Sequence, residues 1–513
     1  MSSACVPDIW LWIRSLPEEW KGGSYSLRIC NSPSTNQSLD LIVTRHSEPQ
    51  PLNLSFSICS EFHDPISLWS SDHSRVKSAN TTDLSARFLH DIICGVLRYG
   101  PYSNSRLLFR LPNVQIPGPG DSGNIFNLAA LTLAVLICIY EAPSNLRRVF
   151  IDTVSMQLMR EEMQDAARKL MRTLGSNIEE QWMRSVNLGI TNWTMENLRA
   201  GGSSPSPFAV FSYAVSASRL WKVQVYCPVV AMIVEHPSHP TKDEKLLFSL
   251  NYQQLEGVIQ LVYKVSFKEN WIDVSVKVDN IRRGLDNLLD DGNQSITGIL
   301  TCDLIQLVSE LLMAKQGYGS DEKHFPSRVS LQLTPMAQPD ILSLSVSRST
   351  DNPAHEVGVD TGLEASLAVP ASIGIGVSAH ETVTRTLKPW KFEHSVHADT
   401  AALSWFLHDG AGGREVFSSE PHRLELFRPR SWFRNRYTNP GRPFTRSGGV
   451  IFAGDEYGEG VCWRMSPAAA GKTVEWEIRG RIWVTYWPNK KRMLHTETRR
   501  VEFRELLQLT IAE

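Results

Sequence analysis

The stretch LEGVIQLVYKVSFKENWIDVSVKV, residues 255–278, reads as an antiparallel hairpin. Ile259, Leu261, Tyr263, Val265 and Phe267 alternate onto one face of the first strand. Ile272, Val274, Val276 and Val278 do the same in the returning strand, and Lys268-Glu269-Asn270 turn the chain between them. Period-two alternation with a polar turn is the signature of half-buried paired strands. The same pattern recurs near the C-terminus, over Thr473–Trp487 and Leu494–Leu509. There Val474, Trp476, Ile478, Ile482, Val484 and Tyr486 make the apolar face. Glu475, Glu477, Arg479 and Arg481 make the other, as expected of a sheet with one wet side. About nine strand-like segments fall between 327 and 510, spacing that suggests a sandwich or open barrel.

Upstream of residue 200 the pattern differs. SYSLRIC, SLDLIVTR and LNLSFSIC, within residues 25–60, read as three short strands separated by Ser-, Pro- and Asn-rich turns. Residues 82–99 then switch to a helical period, with Leu84, Phe88, Leu89, Ile92, Ile93, Val96 and Leu97 in one stripe, and Gly100-Pro101 ends it. Ile125–Tyr140 is almost wholly apolar, interrupted only by Asn127 and Thr132. At 16 residues it falls short of the ~20 that a bilayer crossing needs, so a buried core helix is expected, with a lipid-embedded segment the alternative. One amphipathic helix is expected over Ser144–Leu174, ended by Gly175. Its four methionines, 156, 159, 163 and 171, could mark an adaptable groove, although such residues more often fill core. A further helix is expected at 302–315.

These readings give an α+β protein: a mostly antiparallel β-rich body, with a helical block in the N-terminal half. AGGSSPSP at 200–207 resembles a linker. It separates residues 1–200, short strands followed by helices, from a β-rich 208–513, unless the two form one integrated fold.

The whole chain is 513 residues long with net charge −2, a balance that predicts no bulk affinity for nucleic acid or membranes. Eight cysteines, no two closer than 25 residues, exclude CxxC zinc and redox sites. With no secretory or transit signal at the N-terminus, they suggest a reducing compartment. A cytoplasmic protein is expected, with nuclear or peripheral-membrane placement as alternatives and no disulfide-linked partner.

The neutral total conceals an asymmetry. Between Arg423 and Arg504 there are 17 Lys and Arg against 8 Asp and Glu, so the remainder carries about eleven net negative charges. Arg423–Arg446 holds seven Arg and a single acid, Glu425, with aromatics interleaved. Guanidinium groups grip phosphate or carboxylate in pairs of hydrogen bonds, and aromatic rings offer stacking surfaces. Arg428, Arg430, Trp432, Arg434, Arg436, Tyr437, Arg442 and Arg446 are therefore the candidate binding residues. The ligand would be a phosphoinositide, a phosphoprotein or single-stranded nucleic acid, or an unknown protein partner. The competing account is internal pairing of these arginines with acids of the same chain.

Gly454-Asp455-Glu456-Tyr457-Gly458-Glu459 could hold a cation or supply an acid and a base for a hydrolase-like or carbohydrate-directed enzyme. A tight acidic turn explains it equally. His394 and His397 lie three apart in a strand pattern, so they face opposite ways and suit a metal poorly. His324 and His422 are lone residues with no visible Cys or acid partner. Gly374 and Gly376 form only a bare GxG. No phosphate-binding loop, nucleophile elbow, zinc-protease or protein-kinase motif is present. No cofactor or metal is expected, no catalytic residue is assigned, and a non-enzymatic function is favoured over an enzymatic one. Trp483 and Trp487 fall on the sheet face opposite Trp476, where they could stack on sugars or hold a partner. Cover by other parts of the chain is the simpler account.

Several strings occur together and in order: WLWIRSLP at 10–17, HFPSR at 324–328, SRST at 347–350, KPWKFE at 388–393, RYTNPGRPFT at 436–445, FAGDEYGE at 452–459 and WVTYWPNK at 483–490. In these the chain resembles a family of uncharacterised plant proteins over nearly its whole length. The resemblance implies a plant source and one integrated architecture. It carries over no activity, cofactor or site residue.

Overall fold

The computed structural model describes residues 8–16, 23–31, 37–46, 53–60, 63–71, 81–100, 122–158, 160–199, 210–217, 219–235, 250, 253–287, 324–336, 338–346, 355–361, 381–387, 390–407, 450–453, 460–486 and 497–512. The N-terminal half begins with α1 (Ile9–Ser15). A four-stranded antiparallel meander follows: β1 (Ser24–Asn31), β2 (Ser38–His46), β3 (Asn53–Ser60) and β4 (His63–Ser71), in that spatial order. Five helices come next: α2 (Thr81–Leu97), α3 (Ser122–Glu141), α4 (Ser144–Leu158), α5 (Glu161–Leu174) and α6 (Ser176–Arg199).

The apolar run at 125–140 is the centre of this half. α3 is long and apolar enough to cross a membrane by length and composition, and here protein covers it, with contacts to α1, α2, α4, α5 and α6. Its two polar residues are both engaged. Asn127 Oδ1 accepts from the Trp10 amide (2.9 Å) and Asn127 Nδ2 donates to Asp8 Oδ1 (2.9 Å), which ties α1 onto α3. The Thr132 hydroxyl donates to the Leu128 carbonyl within its own helix (2.8 Å). Buried polar groups satisfied in this way cost little.

The single helix expected over 144–174 is two. The apolar stripe skips from Leu158 to Met163, Arg160 has an extended backbone, and Glu161 and Glu162 open α5, where carboxylates favour the helix dipole. Gly175 ends α5 at φ +75°, as expected of a glycine cap.

The C-terminal half is a β-sandwich. β5 (Phe211–Ala217), β6 (Leu220–Pro228), β8 (Gln253–Phe267) and β9 (Ile272–Asn287) lie in one sheet, while β7 (Ile233–Val234), between β6 and β8 in the chain, is an edge strand of the other. Then come β10 (His324–Pro335), β11 (Ile341–Val346), β12 (His355–Thr361), β13 (Glu381–Leu387), β14 (Trp390–His397), β15 (Thr400–Leu407), β16 (Val450–Ala453), β17 (Gly460–Met465), β18 (Thr473–Tyr486) and β19 (Glu497–Thr510). One sheet runs β11-β17-β9-β8-β6-β5, with β16 also on β9. The other runs β14-β15-β10-β18-β19-β7, and β12 pairs with β13 alone. Every pairing is antiparallel, including the two hairpins legible in the sequence. β8 meets β9 in the register Phe267↔Ile272 and Leu261↔Val278, and β18 meets β19 in the register Tyr486↔Glu497. Among the described residues no sheet closes into a barrel. The helix expected at 302–315 lies outside the described residues.

Two hydrophobic cores result. The first gathers α1–α6 and the meander and takes in Tyr213 and Tyr226. The second fills the sandwich and takes in Met195 from α6. α6, β5 and β6 therefore belong to both. Across the sandwich, Trp476 of β18 meets Trp463 of β17 edge-on at 4.5 Å and Trp221 of β6 at 5.7 Å.

Candidate functional site

The eight candidate residues Arg428, Arg430, Trp432, Arg434, Arg436, Tyr437, Arg442 and Arg446 lie outside the described residues, as do the 454–459 acidic turn, His422, the Gly374-Gly376 pair and Trp487. The described part of the same basic stretch is informative. Seven of its cations are described, and each has an acid. Arg464 pairs with Asp273 (3.7 Å), Lys472 with Asp340 (2.9 Å), Arg481 with Glu502 (3.2 Å) and Arg500 with Glu235 (2.8 Å). Arg479 and Arg504 converge on Glu477 from either side, and Arg499 pairs with Glu497. The wet face of β18 and β19 is thus a self-neutralising lattice rather than a free cationic surface. Burial works against ionisation of Glu477, but the two guanidinium groups outweigh it and hold its carboxyl below the usual range.

Trp483 does lie on that outer face, yet only 5% of it is exposed. Its indole N–H donates to Glu235 Oε1 (2.8 Å). The Arg328 guanidinium stacks over its ring, and over Phe406 on the other side, at 4.5 Å each. The tryptophan is covered by its own chain and offers no free stacking surface.

His324 has an acid partner that sequence spacing concealed. It is 2% exposed, with Nε2 at 3.9 Å from Glu497 Oε1. The His324 backbone N–H donates to Gln253 Oε1 (3.0 Å). Arg499, beside Glu497, donates to the Val230 carbonyl (2.8 Å). Burial pushes the His324 imidazole down, toward its neutral form. Burial pushes Glu497 up, but His324 and Arg499 overcome it and hold the carboxyl at about 2. This buried cluster joins the 229–231 turn, β8, β10 and β19 and is structural in character.

A Cys-His-Asp grouping also occurs on α2. His90 Nδ1 is 3.3 Å from Asp91 Oδ1 and 3.9 Å from Cys94 Sγ. Both partners address the same ring nitrogen, so the imidazole cannot relay a proton from thiol to carboxylate. Burial, helped by Asp91, pushes the Cys94 thiol up, away from the nucleophilic thiolate. His394 and His397 are both exposed on β14. Among the described residues no three His, Cys, Asp or Glu converge as metal ligands.

The helical block contains a cavity of about 140 Å³. Leu128, Thr132, Val135, Leu136 and Ile139, one continuous stripe of α3, form its floor. α5 supplies Met163 and Met171, α6 supplies Trp182 and Met183, and Phe211 closes it at the start of β5. Of the four methionines noted in the sequence, Met163 and Met171 line this space, Met156 is exposed, and Met159 lies outside the described residues. Sequence reasoning found only the methionine clue, because the lining is spread over four helices and one strand.

Beside the cavity, on the α6 face that carries Trp182 and Met183, lies a buried polar cluster. Tyr226 donates to Glu179 Oε1 (2.8 Å), Tyr213 donates to Gln224, and Gln224 Nε2 donates to the Tyr226 oxygen (3.2 Å). Burial raises the Glu179 carboxyl above the ordinary range, against the hydrogen bonds from the tyrosines. Glu505 behaves in the same way: burial raises it, although Ser212 donates to it (2.5 Å) and Arg168 stands at 3.4 Å.

No family model matches the chain, and no curated protein matches it. Among solved structures, Clostridium perfringens delta-toxin aligns with 58% of this chain and 99% of its own, at 9% identity and a TM-score of 0.24. The membrane-inserted form of the Clostridium perfringens NetB toxin aligns with 58% and 94%, at 10% identity and a TM-score of 0.16. Likeness at this level carries no functional inference.

Proposed function

We propose that this is a non-enzymatic binding protein. Its Arg- and aromatic-rich segment, Arg428, Arg430, Trp432, Arg434, Arg436, Tyr437, Arg442 and Arg446, takes an anionic ligand or partner. One observation supports the reading most. The described cations downstream already occupy Asp273, Asp340, Glu235, Glu477, Glu497 and Glu502. Those six acids already carry partners of their own, and the block itself holds seven Arg against one acid. Phosphate or carboxylate groups are the chemical complement of closely spaced guanidinium groups. A phosphoinositide, a phosphoprotein and single-stranded nucleic acid all present them.

The test is binding of the full chain to phosphoinositide vesicles, phosphopeptides and single-stranded RNA and DNA. It is then repeated with Arg430, Arg434 and Arg436 each changed to Glu. The triple reversal is expected to weaken the favoured ligand by a factor of ten or more. Equal affinity of wild type and variant for every anionic ligand bound would defeat the proposal.

A further inference from the structure

We infer that the cavity between α3, α5 and α6 is a ligand site for a small, uncharged, apolar molecule of about the size of benzene. The inference does not rest on the reading of the 428–446 segment. Size comes first: a cavity of about 150 Å³ engineered in another protein, walled by Leu, Ile and Phe, binds benzene or xenon. The present space is about 140 Å³.

Chemistry comes next. No charged side chain lines the space, and its polar side chains are Thr132 and Gln164. The Thr132 hydroxyl already donates to the Leu128 carbonyl (2.8 Å), and Gln164 stands at the exposed rim rather than on the floor. A water molecule resting on the apolar α3 floor needs two to four polar partners and finds few there. An anion would find no cation. The nearby Arg172 donates to the Ala214 carbonyl (2.6 Å), and Arg168 pairs with Asp165 (3.0 Å) and Glu505 (3.4 Å).

The wall is also suited to varied apolar shapes. Trp182 and Phe211 present aromatic surfaces, and Met163, Met171 and Met183 are flexible, polarisable side chains that mould around a guest. Gln164 and Val210 are the exposed members of the lining, and they mark the side on which a ligand enters.

Calorimetric titration of the full chain with benzene, and with benzoate as the charged counterpart, tests the inference. Saturable one-site binding of benzene without binding of benzoate is expected. Ala167, buried in the lining, allows the space to be filled: Ala167→Phe should weaken benzene at least tenfold while leaving a cooperative thermal transition. Met171→Ala should enlarge the space and admit naphthalene. A saturable shift of dissolved xenon in the NMR spectrum of the wild type provides a reading that needs no variant. Absence of saturable uptake of both benzene and xenon by the wild type would overturn the inference, as would unchanged benzene affinity in a folded Ala167→Phe.

Discussion

Gly480 lies opposite Phe503 in the β18–β19 register, and the ring rests on the glycine. A Cβ at position 480 would stand 1.9 Å from the ring's Cζ. Neither residue can move freely inside the sandwich core, so Gly480→Ala should destabilise by about 1–3 kcal/mol in chemical denaturation. Glu497 is the second single residue with large leverage. Glu497→Gln leaves the buried Arg499 without its countercharge, a loss of about 3 kcal/mol or more. The pH dependence has a fixed sign. The folded carboxyl titrates at about 2, below its unfolded value of about 4.3. Its contribution is therefore present above ~4.3 and lost as pH falls toward 2. The gap between wild type and Glu497→Gln should narrow across that window. His324 shows the limit of reading at this scale. Its acid partner is 173 positions away, so local spacing could not reveal it.

Elements were legible where one period ran unbroken. The C-terminal hairpin and α2 occur within a few residues of their expected bounds, and the 255–278 hairpin is present with a returning strand that continues nine residues further, to Asn287. The fourth strand of the meander was missed because Pro65 interrupts it. It is tolerated there because β4 is an edge strand, bulged against β3. The split between α4 and α5 was marked by the five-residue skip in the stripe and the acidic pair after it. α6 carries the seam between the two cores, through Glu179 on Tyr226 and Asn187 on Gln254 (2.8 Å). Its buried carboxyl makes the seam sensitive to pH. A folded-state value raised above the unfolded one means stability that is full at low pH and falls as pH rises. Tyr213, Tyr226, Lys222, Glu180, Glu256 and Arg172 set that environment. Glu179→Gln should match the wild-type melting temperature below the ordinary glutamate range and exceed it increasingly above. A wild-type advantage that grows with pH would contradict this.

The whole molecule places two cores side by side, with charge unevenly distributed along the chain. Sequence counting found the basic excess but could not separate paired from unpaired cations, because the paired acids come from residues as distant as Glu235 and Asp273. The seven described cations of this stretch prove to be paired. The proposal therefore concentrates on the six arginines of 428–446 and their interleaved aromatics. The cavity, by contrast, was almost invisible in the sequence, since a void is a property of how helices meet rather than of any one stripe.

The most direct measurement is the salt dependence of binding to a single-stranded oligonucleotide or phosphoinositide vesicle, for the wild type and for the Arg430, Arg434 and Arg436 triple reversal. Anion recognition by several arginines predicts a loss of about a thousandfold between ~50 and ~200 mM salt in the wild type, and a shallower slope with weaker binding in the variant. Identical salt slopes and affinities for the two proteins, or no salt-sensitive binding by the wild type to any anionic ligand, would contradict it.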